Sequence, residues 1–478
     1  MQGNILFTSM GNGDMESTCV KDAFIFRGKQ DYSAEEVAIM FDYDVIVAGC
    51  GPAGLMAAAE LQEKGIKVLG IDRKPRLDEN VRSASGFCMD DQDFNGENVK
   101  LEPLNGRTKI TYTNCGFSIE YSAFMEGIHH SHIISNSGSH FQATSRIKPF
   151  YHLFNPTTWL SDRYKYAKKS GVTFMTGTTF LRAQEISGGV ELTLRTKGKT
   201  TTKTCRKLIA SDGLSSRIAR TLGFNRNRIC FGKGPTIEYE IINVDCPLDR
   251  GDMYFTGENN IGTRGSIIAV PSPRGNGAYR FETTGALPGK MAYDIIEFFM
   301  NKSPLASWFK KAKIVEKSGA IVEIFTPIKT PYRGNILLVG DAAAFGECLY
   351  QGATCCGYMA GHCMADELKG KDGFKDYTAW WNSTFEWNVN PQRMADYVKR
   401  VVWMRFFTQE EIDFLFNLTK QYPAVADAME AGVYNYTAAV MDHFLSMPGL
   451  SPELQEKCKT VKQADMAKIA TVLAKRAD

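Results

Sequence analysis

Gly49, Gly51 and Gly54 stand at G-x-G-x-x-G spacing, and each position has a physical reason to lack a side chain. A glycine at 49 permits a tight turn, one at 51 lets backbone approach a pyrophosphate, and one at 54 lets a helix pack on a strand. Pro52 and Ala53 lie between them in the same binding turn. The helix that follows aims unpaired N–H groups and its positive dipole end at the phosphates. Asp72 stands where a carboxylate accepts hydrogen bonds from an adenosine ribose, and it favours an unphosphorylated one, although Arg73 beside it keeps that from being decisive. The chemistry open to this group is to hold a dinucleotide.

The flanking residues supply the elements that such a turn needs. Asp44 to Ala48 is a short apolar, β-branched run suited to a buried parallel strand, Leu55 to Gln62 is helical in composition, and Lys67 to Ile71 returns to strand. Two further strands end in an acid and a glycine turn: Cys205 to Ala210 delivers Ser211-Asp212-Gly213, and Asn335 to Val339 delivers Gly340-Asp341. From Gln351 a helix begins whose small residues, Gly352, Ala353, Gly357, Ala360 and Gly361, let it lie against something flat or another backbone.

Composition bounds the remaining options. The chain has 478 residues, 44% of them hydrophobic, enough for two or three packed regions. A net charge of +3 gives no electrostatic case for nucleic acid. No stretch approaches the roughly 18 apolar residues of a membrane helix, and the N-terminus lacks the pattern of a signal peptide, so a cytoplasmic location is expected. The 12 cysteines form no CxxC pair and read as reduced thiols, and no metal site is expected.

Along the chain, residues 1 to 40 form a leader with one short helical stretch, Ser33 to Phe41. Thr108 to Glu120 alternates as a strand. His130 and His132 share a strand face without a carboxylate at ligand spacing, which points to pocket or surface histidines. Pro156 to Ser170 is expected to be helical, Val172 to Phe180 and Val190 to Thr196 strands, and Leu214 to Leu222 a helix. Residues 225 to 325 alternate in short strands, such as Thr236 to Val244 and Gly265 to Val270, with a helix at Lys290 to Phe299. Beyond Lys369 the chain is helical and aromatic, as a core or as the wall of a lipophilic pocket.

Three separated segments, GCGPAG at 49 to 54, SDGLSSRIARTLG at 211 to 223 and GDAAAF at 340 to 345, resemble the nucleotide, DG and GD fingerprints of FAD enzymes with the para-hydroxybenzoate hydroxylase-like fold. Within that superfamily the chain looks most like the geranylgeranyl reductase family. It departs from the family pattern in having Tyr350, Gln351, Gly352 and Ala353 where the reductases carry Thr-Gly-Glu-Gly, Cys348 for a proline, and Ala219 for the arginine ending the DG fingerprint. The resemblance implies an α/β fold: a Rossmann-like FAD-binding domain with an inserted antiparallel β-sheet substrate domain and a helical C-terminal region. The expected divisions are an extension at 1–41, the FAD-binding domain at 42–110, 151–230 and 327–370, the substrate domain at 111–150 and 231–326, and helices at 371–478.

By the same resemblance, Asp212, Gly213, Gly340 and Asp341 meet the flavin's ribityl and pyrophosphate region, and Gly352, Ala353 and Thr354 lie near the pyrimidine edge of the ring. Arg82 meets phosphate or is a solvated arginine. Cys88 faces the ring or is a small buried hydrophobe. The expected chemistry is hydride transfer from reduced FAD to a carbon–carbon double bond of a lipophilic, isoprenoid-like substrate, with a pocket acid protonating the neighbouring carbon. Candidate acids are Tyr350, Glu347, Cys348 and Cys88. A monooxygenase hydroxylating an activated ring, and a cluster-free flavoprotein carrying electrons to a quinone, use the same fold. No second GxGxxG exists for a nicotinamide cofactor, so electrons come from transient NAD(P)H docking or a redox protein. Peripheral membrane contact and the oligomeric state stay open.

Overall fold

Apolar runs without a polar face are stable only when both sides are covered, and the strands bearing the three fingerprints are buried in this way. The computed structural model describes residues 40–80, 86–135, 137–256, 266–275, 277–284, 289–421 and 432–474. The elements that build the site are β1 (Tyr43–Ala48), α1 (Pro52–Glu63), β2 (Val68–Ile71), β3 (His130–Ser135), β4 (Lys199–Ala210), β5 (Asp252–Thr256), β6 (Ile336–Leu338), α2 (Leu349–Leu368) and α3 (Gln392–Val402).

Thr173–Met175, β2, β1, β4 and β6 form a parallel sheet in that order. Its register pairs Ala48 with Ile71 and Ala210, and Ala210 with Leu338, so the four strand ends are level. Gly49, Asp72, Ser211 and Val339 therefore leave the sheet along one edge, at the carboxyl ends where α/β sheets bind ligands. A hairpin, Thr178–Ile186 and Gly189–Thr196, extends the sheet antiparallel to the first half of β4.

The small residues of α2 are explained by a neighbouring helix. A Cβ added at Gly357 would lie 2.2 Å from the Ala53 carbonyl oxygen, and one at Gly361 would lie 2.6 Å from Glu60 Cβ. The stripe thus seats α2 on α1, and of the two expected partners, flat group or backbone, it meets backbone.

A seven-stranded sheet runs His140–Thr144, β3, β5, Ser266–Pro271, Tyr279–Thr284, Cys230–Ile242 and Lys313–Phe325. Within it β3 and β5 are parallel, with Ser131 opposite Asp252. The helix Gly289–Lys302 contributes Ile295, Ile296 and Phe299 to a core with Tyr239, Phe255 and Phe281. Two small sheets lie between the large ones in sequence, Asp93–Tyr121 in four strands and Phe87–Cys88 with Tyr151–Leu153 and Glu126–Ile128 in three.

The helices from Gly373 onward bury Trp381, Phe385, Trp387, Trp403 and Phe416, so most of the aromatic load is core. They are stitched to the segment leading to β6: Trp381 Nε1 donates to the Ile328 carbonyl at 2.9 Å, Asn382 Nδ2 to the Lys329 carbonyl at 2.7 Å, and Lys329 Nζ to the Asn388 carbonyl at 2.6 Å. Among the described residues no helix is long and apolar enough to cross a membrane.

Some expected elements are divided. The single strand expected at 108 to 120 is the hairpin Arg107–Tyr112 and Phe117–Tyr121, turned at Gly116 with φ of +74°. The strand expected at 172 to 180 breaks at Gly177, φ +59°, into one strand of the parallel sheet and one of the hairpin. The helix expected at 214 to 222 shrinks to Arg217–Thr221 because Asp212 and Ser216 cap it late. Arg82 and most of the Ser33–Phe41 stretch lie outside the described residues.

Candidate functional site

The first turn of α1 has the form of an anion cradle. Gly49 takes φ of +99°, and a Cβ there would lie 2.3 Å from the Ser211 carbonyl oxygen, so only glycine lets the two strand ends approach. Gly51 caps α1 with no side-chain hydrogen bond, and a Cβ on it would meet no heavy atom within 4 Å. That leaves N–H groups and open space at the positive end of a 12-residue helix. Asp72 is held by the N–H groups of Cys50 and Lys74, each at 2.8 Å, and Arg73 next to it is exposed. Gly340, φ +64°, stands against Ala53, so the third fingerprint reaches the same cradle.

Beyond Gly340 the loop to α2 is tied in place. Asp341 Oδ1 accepts the Cys348 N–H at 2.7 Å, and Asn95 Nδ2 donates to the Cys348 carbonyl at 2.8 Å. Leu349 then starts α2 at φ of +53°, an unfavourable conformation for a side chain of this kind. Gly346, within the loop, is buried, yet a Cβ on it would meet no heavy atom within 4 Å. Backbone buried beside open space suits a planar ring, and with the α1 cradle it shows that these residues fit a flavin dinucleotide.

Other expected site residues serve the protein itself. The Asp212 carboxylate accepts from Ser216 Oγ at 2.6 Å and from the N–H groups of Arg217 and Ile218 at 2.8 and 3.2 Å, and burial raises its pKa. Gly213 beside it has φ of +85°. Asp212→Ala is expected to lower stability by about 1–2 kcal/mol through the lost cap, read by denaturant unfolding with flavin retained. Flavin loss without destabilisation would assign the carboxylate to the cofactor instead. Gly352 is backed by Asn95, whose Cβ would be 2.8 Å from an added one, while Ala353 and Thr354 are buried in α2. Gln351, which the sequence reading passed over, accepts the Met89 N–H at 3.1 Å and thereby ties α2 to the Cys88 strand.

Of the four candidate acids, Tyr350 and Cys88 share one apolar cluster with Phe154 and Trp159, while Glu347 and Cys348 lie in the loop before α2. Tyr350 packs edge-on against Phe154 and Trp159, with its hydroxyl 3.4 Å from Asn80 Oδ1. Cys88 is 1% exposed, with Sγ 3.7 Å from Gln351 Oε1, and burial pushes its thiol up. Burial does the same to Cys348, helped by Cys356. Glu347 is half-buried, and its charge, with that of Asp341, acts on Tyr397.

Tyr397 opens onto a group that sequence reasoning missed. It stands on α3 with its ring 6.2 Å from Phe345 and under the Arg400 guanidinium at 5.0 Å. Facing them from β5 are Asp252, 1% exposed, and Tyr254, with Ser131 of β3 in register and Tyr151 and Tyr436 close enough to feel the Asp252 charge. Tyr254, Tyr397 and Arg400 are half-buried, with Arg400 over the Tyr397 ring. Burial raises the Asp252 pKa to about 7 against the pull of Ser131, Tyr254 and Arg400.

A carboxyl raised on folding favours the folded state only while protonated. Its cost is absent below the ordinary carboxylate range, grows with pH and is complete above about 7. Asp252→Asn is therefore expected to raise the melting temperature more at about pH 8 than at about pH 5. Equal shifts at both values would contradict the raised pKa.

The histidines form no part of this group. His132 is buried, bonded through Nε2 to the Asp249 carbonyl at 2.8 Å, and burial lowers its pKa to about 4; it is a core residue rather than the expected pocket or surface one. A second unexpected cluster brings Cys115 Sγ within 2.8 Å of Cys355 Sγ beside Glu97. The Glu97 carboxylate is already taken by the N–H groups of Asn98, Asn114 and Cys115 at 2.8, 2.7 and 3.0 Å.

Residues 42–86 match the family described as FAD binding domain. Over 368 residues the chain is 25% identical to the digeranylgeranylglycerophospholipid reductase of Methanococcus vannielii, covering 74% of this chain and 86% of the relative. The enzyme of the same name from Methanocaldococcus jannaschii is 25% identical over 354 residues, 71% and 82% of the two chains. Among solved structures, a geranylgeranyl bacteriochlorophyll reductase-like protein from Thermoplasma acidophilum superposes with a TM-score of 0.59 at 17% identity, over 90% of this chain and 99% of that one. Aklavinone-11 hydroxylase, solved with FAD and aklavinone, gives 0.51 at 15% identity over 76% and 69%. These two likenesses establish the fold.

Proposed function

Because the chain belongs to the geranylgeranyl reductase family of FAD-dependent oxidoreductases, we propose that it reduces carbon–carbon double bonds of a lipophilic, isoprenoid-like substrate. The observation that carries this reading is the half-buried aromatic group of Tyr254 and Tyr397 under Arg400, which meets the Gly340–Cys348 loop where the Tyr397 ring lies 6.2 Å from Phe345. The methanogen relatives, digeranylgeranylglycerophospholipid reductases by name, suggest the isoprenoid class.

Bound FAD supplies two-electron chemistry, accepting electrons from a donor and passing hydride to carbon. Gly49, Gly51, Pro52, Ala53, Gly54 and Asp72 would hold its adenosine diphosphate half, and the Gly340–Asp341 turn its ribityl side. Gly346 would offer backbone to the ring. The seven-stranded sheet is the substrate domain in this reading, with β5 and α3 presenting Tyr254, Tyr397 and Arg400 to the substrate. Their aromatic side chains exclude water and orient an alkene, which is where proximity yields its largest effect. NAD(P)H or a redox protein is the electron source.

The experiment is anaerobic incubation of the reduced holoprotein with geranylgeranyl lipids, followed by mass analysis. Products heavier by one hydrogen pair per reduced bond are expected. Unchanged alkenes, together with oxygenated products once air is admitted, would sink the reading in favour of hydroxylation.

A further inference from the structure

The group around Asp252 holds buried polar atoms that the fold leaves unmatched. Asp252 Oδ1, Ser131 Oγ, Tyr151 OH and Arg400 Nε are all buried without a hydrogen-bond partner, whereas the large majority of buried side-chain polar atoms in proteins are paired. They come from four different segments, β3, the Tyr151–Leu153 strand, β5 and α3, and they gather around one carboxyl. Arg400, always charged, makes no ion pair among the described residues and rests on the Tyr397 ring. A buried cation without an anion is costly, and so is a buried carboxylate. An ionised Asp252 beside Arg400 offsets part of both costs, while burial still favours the protonated carboxyl up to about pH 7.

We propose that Asp252 is the catalytic acid that protonates the substrate carbon next to the one receiving hydride, with Arg400 as the cation that then pairs with the carboxylate. The proposal rests on the alkene-reductase reading. In the step, the substrate's π bond breaks. One carbon takes the hydride, with two electrons, that reduced FAD supplies. The other takes the proton as the Asp252 O–H bond breaks, and the carboxylate is reprotonated from water. Groups facing Asp252 are Ser131 from β3, Tyr254 from its own strand, Tyr151, Tyr436 and Arg400. None of them is an acid that titrates below the tyrosine range. Burial holds the Cys88 and Cys348 thiols protonated.

The test is single-turnover oxidation of the reduced holoprotein by a geranylgeranyl lipid without oxygen, in wild type, Asp252→Asn and Asp252→Glu. Asp252→Asn is expected to keep its flavin spectrum and to melt no lower than wild type while the rate falls on the order of a hundredfold or more. Asp252→Glu is expected to recover part of it. The wild-type rate is expected to decline above about pH 7, and that limb to vanish in Asp252→Asn. An Asp252→Asn rate within about threefold of wild type, or a pH limb that persists in it, overturns the assignment while leaving alkene reduction intact. If Asp252→Asn does not fold, a wild-type rate in Asp252→Glu with an unmoved pH limb overturns it as well. Wild type that reduces no alkene removes the reading and the proposal together.

Discussion

Gly54→Val is expected to abolish flavin retention. An ideal Cβ at position 54 would lie 1.9 Å from the Gly49 carbonyl oxygen and 2.7 Å from Ser211 Oγ. The first contact is with backbone, which cannot rotate away. Relief requires α1 to lift from the edge where β1 and β4 end, and that lift takes the N–H cradle out of line with Gly340 and Asp72. Gly51→Ala is the informative companion. Its added Cβ meets no protein atom, so the fold is unaffected, yet it fills space that backbone leaves for phosphate. Gel filtration followed by flavin absorbance and thermal melting separates the two. Gly54→Val loses flavin and stability, and Gly51→Ala loses flavin affinity alone. Stoichiometric flavin in purified Gly54→Val would contradict the cradle geometry.

Trp381→Ala is expected to cost about 3–5 kcal/mol, a large share of the roughly 5–15 kcal/mol that holds an ordinary domain together. The indole is fully buried, its ring 4.5 Å from Phe385, and its Nε1 is the donor to the Ile328 carbonyl. Truncation leaves both a cavity and an orphaned carbonyl in the segment that leads into β6. Loosening there releases Lys329 and Asn388 as well, so the helical region should detach before the parallel sheet melts. The check is a denaturant series followed by tryptophan fluorescence and flavin release. An unfolding midpoint unchanged from wild type would sink this account of how the helices are anchored.

The cradle was legible because glycine has few substitutes. At 49, 51 and 54 the requirement is local, and the strand periods on either side fix which sheet edge carries it. The same holds for the acid-and-turn endings at Asp212 and Asp341. Their convergence follows from the register of three parallel strands, which sequence spacing implies only through the resemblance. What composition could not reveal was the use of each side chain. Asp212 spends its oxygens on a short helix, Tyr350 is absorbed by Phe154 and Trp159, and the glycines of α2 are occupied by α1.

Asp252 was missed for a different reason. It heads the apolar strand DMYFT just after a glycine, where an acid reads as the end of a turn. Its significance comes from Ser131, over a hundred residues earlier, and Arg400, about as far after it. The only local hint was alternation, since Asp252 and Tyr254 share one face of β5. On α3, Tyr397 and Arg400 lie three residues apart on one helical face, a pattern equally suited to a solvated helix.

The proposed function requires the flavin to deliver its electrons to an alkene. Its most direct measurement is stopped-flow absorbance of the anaerobically reduced holoprotein mixed with a geranylgeranyl lipid. The predicted result is return of the oxidised flavin spectrum at a rate that rises and saturates with lipid concentration, with no oxygen present. A flavin that stays reduced under every lipid concentration, and reoxidises only when dioxygen is added, would contradict it.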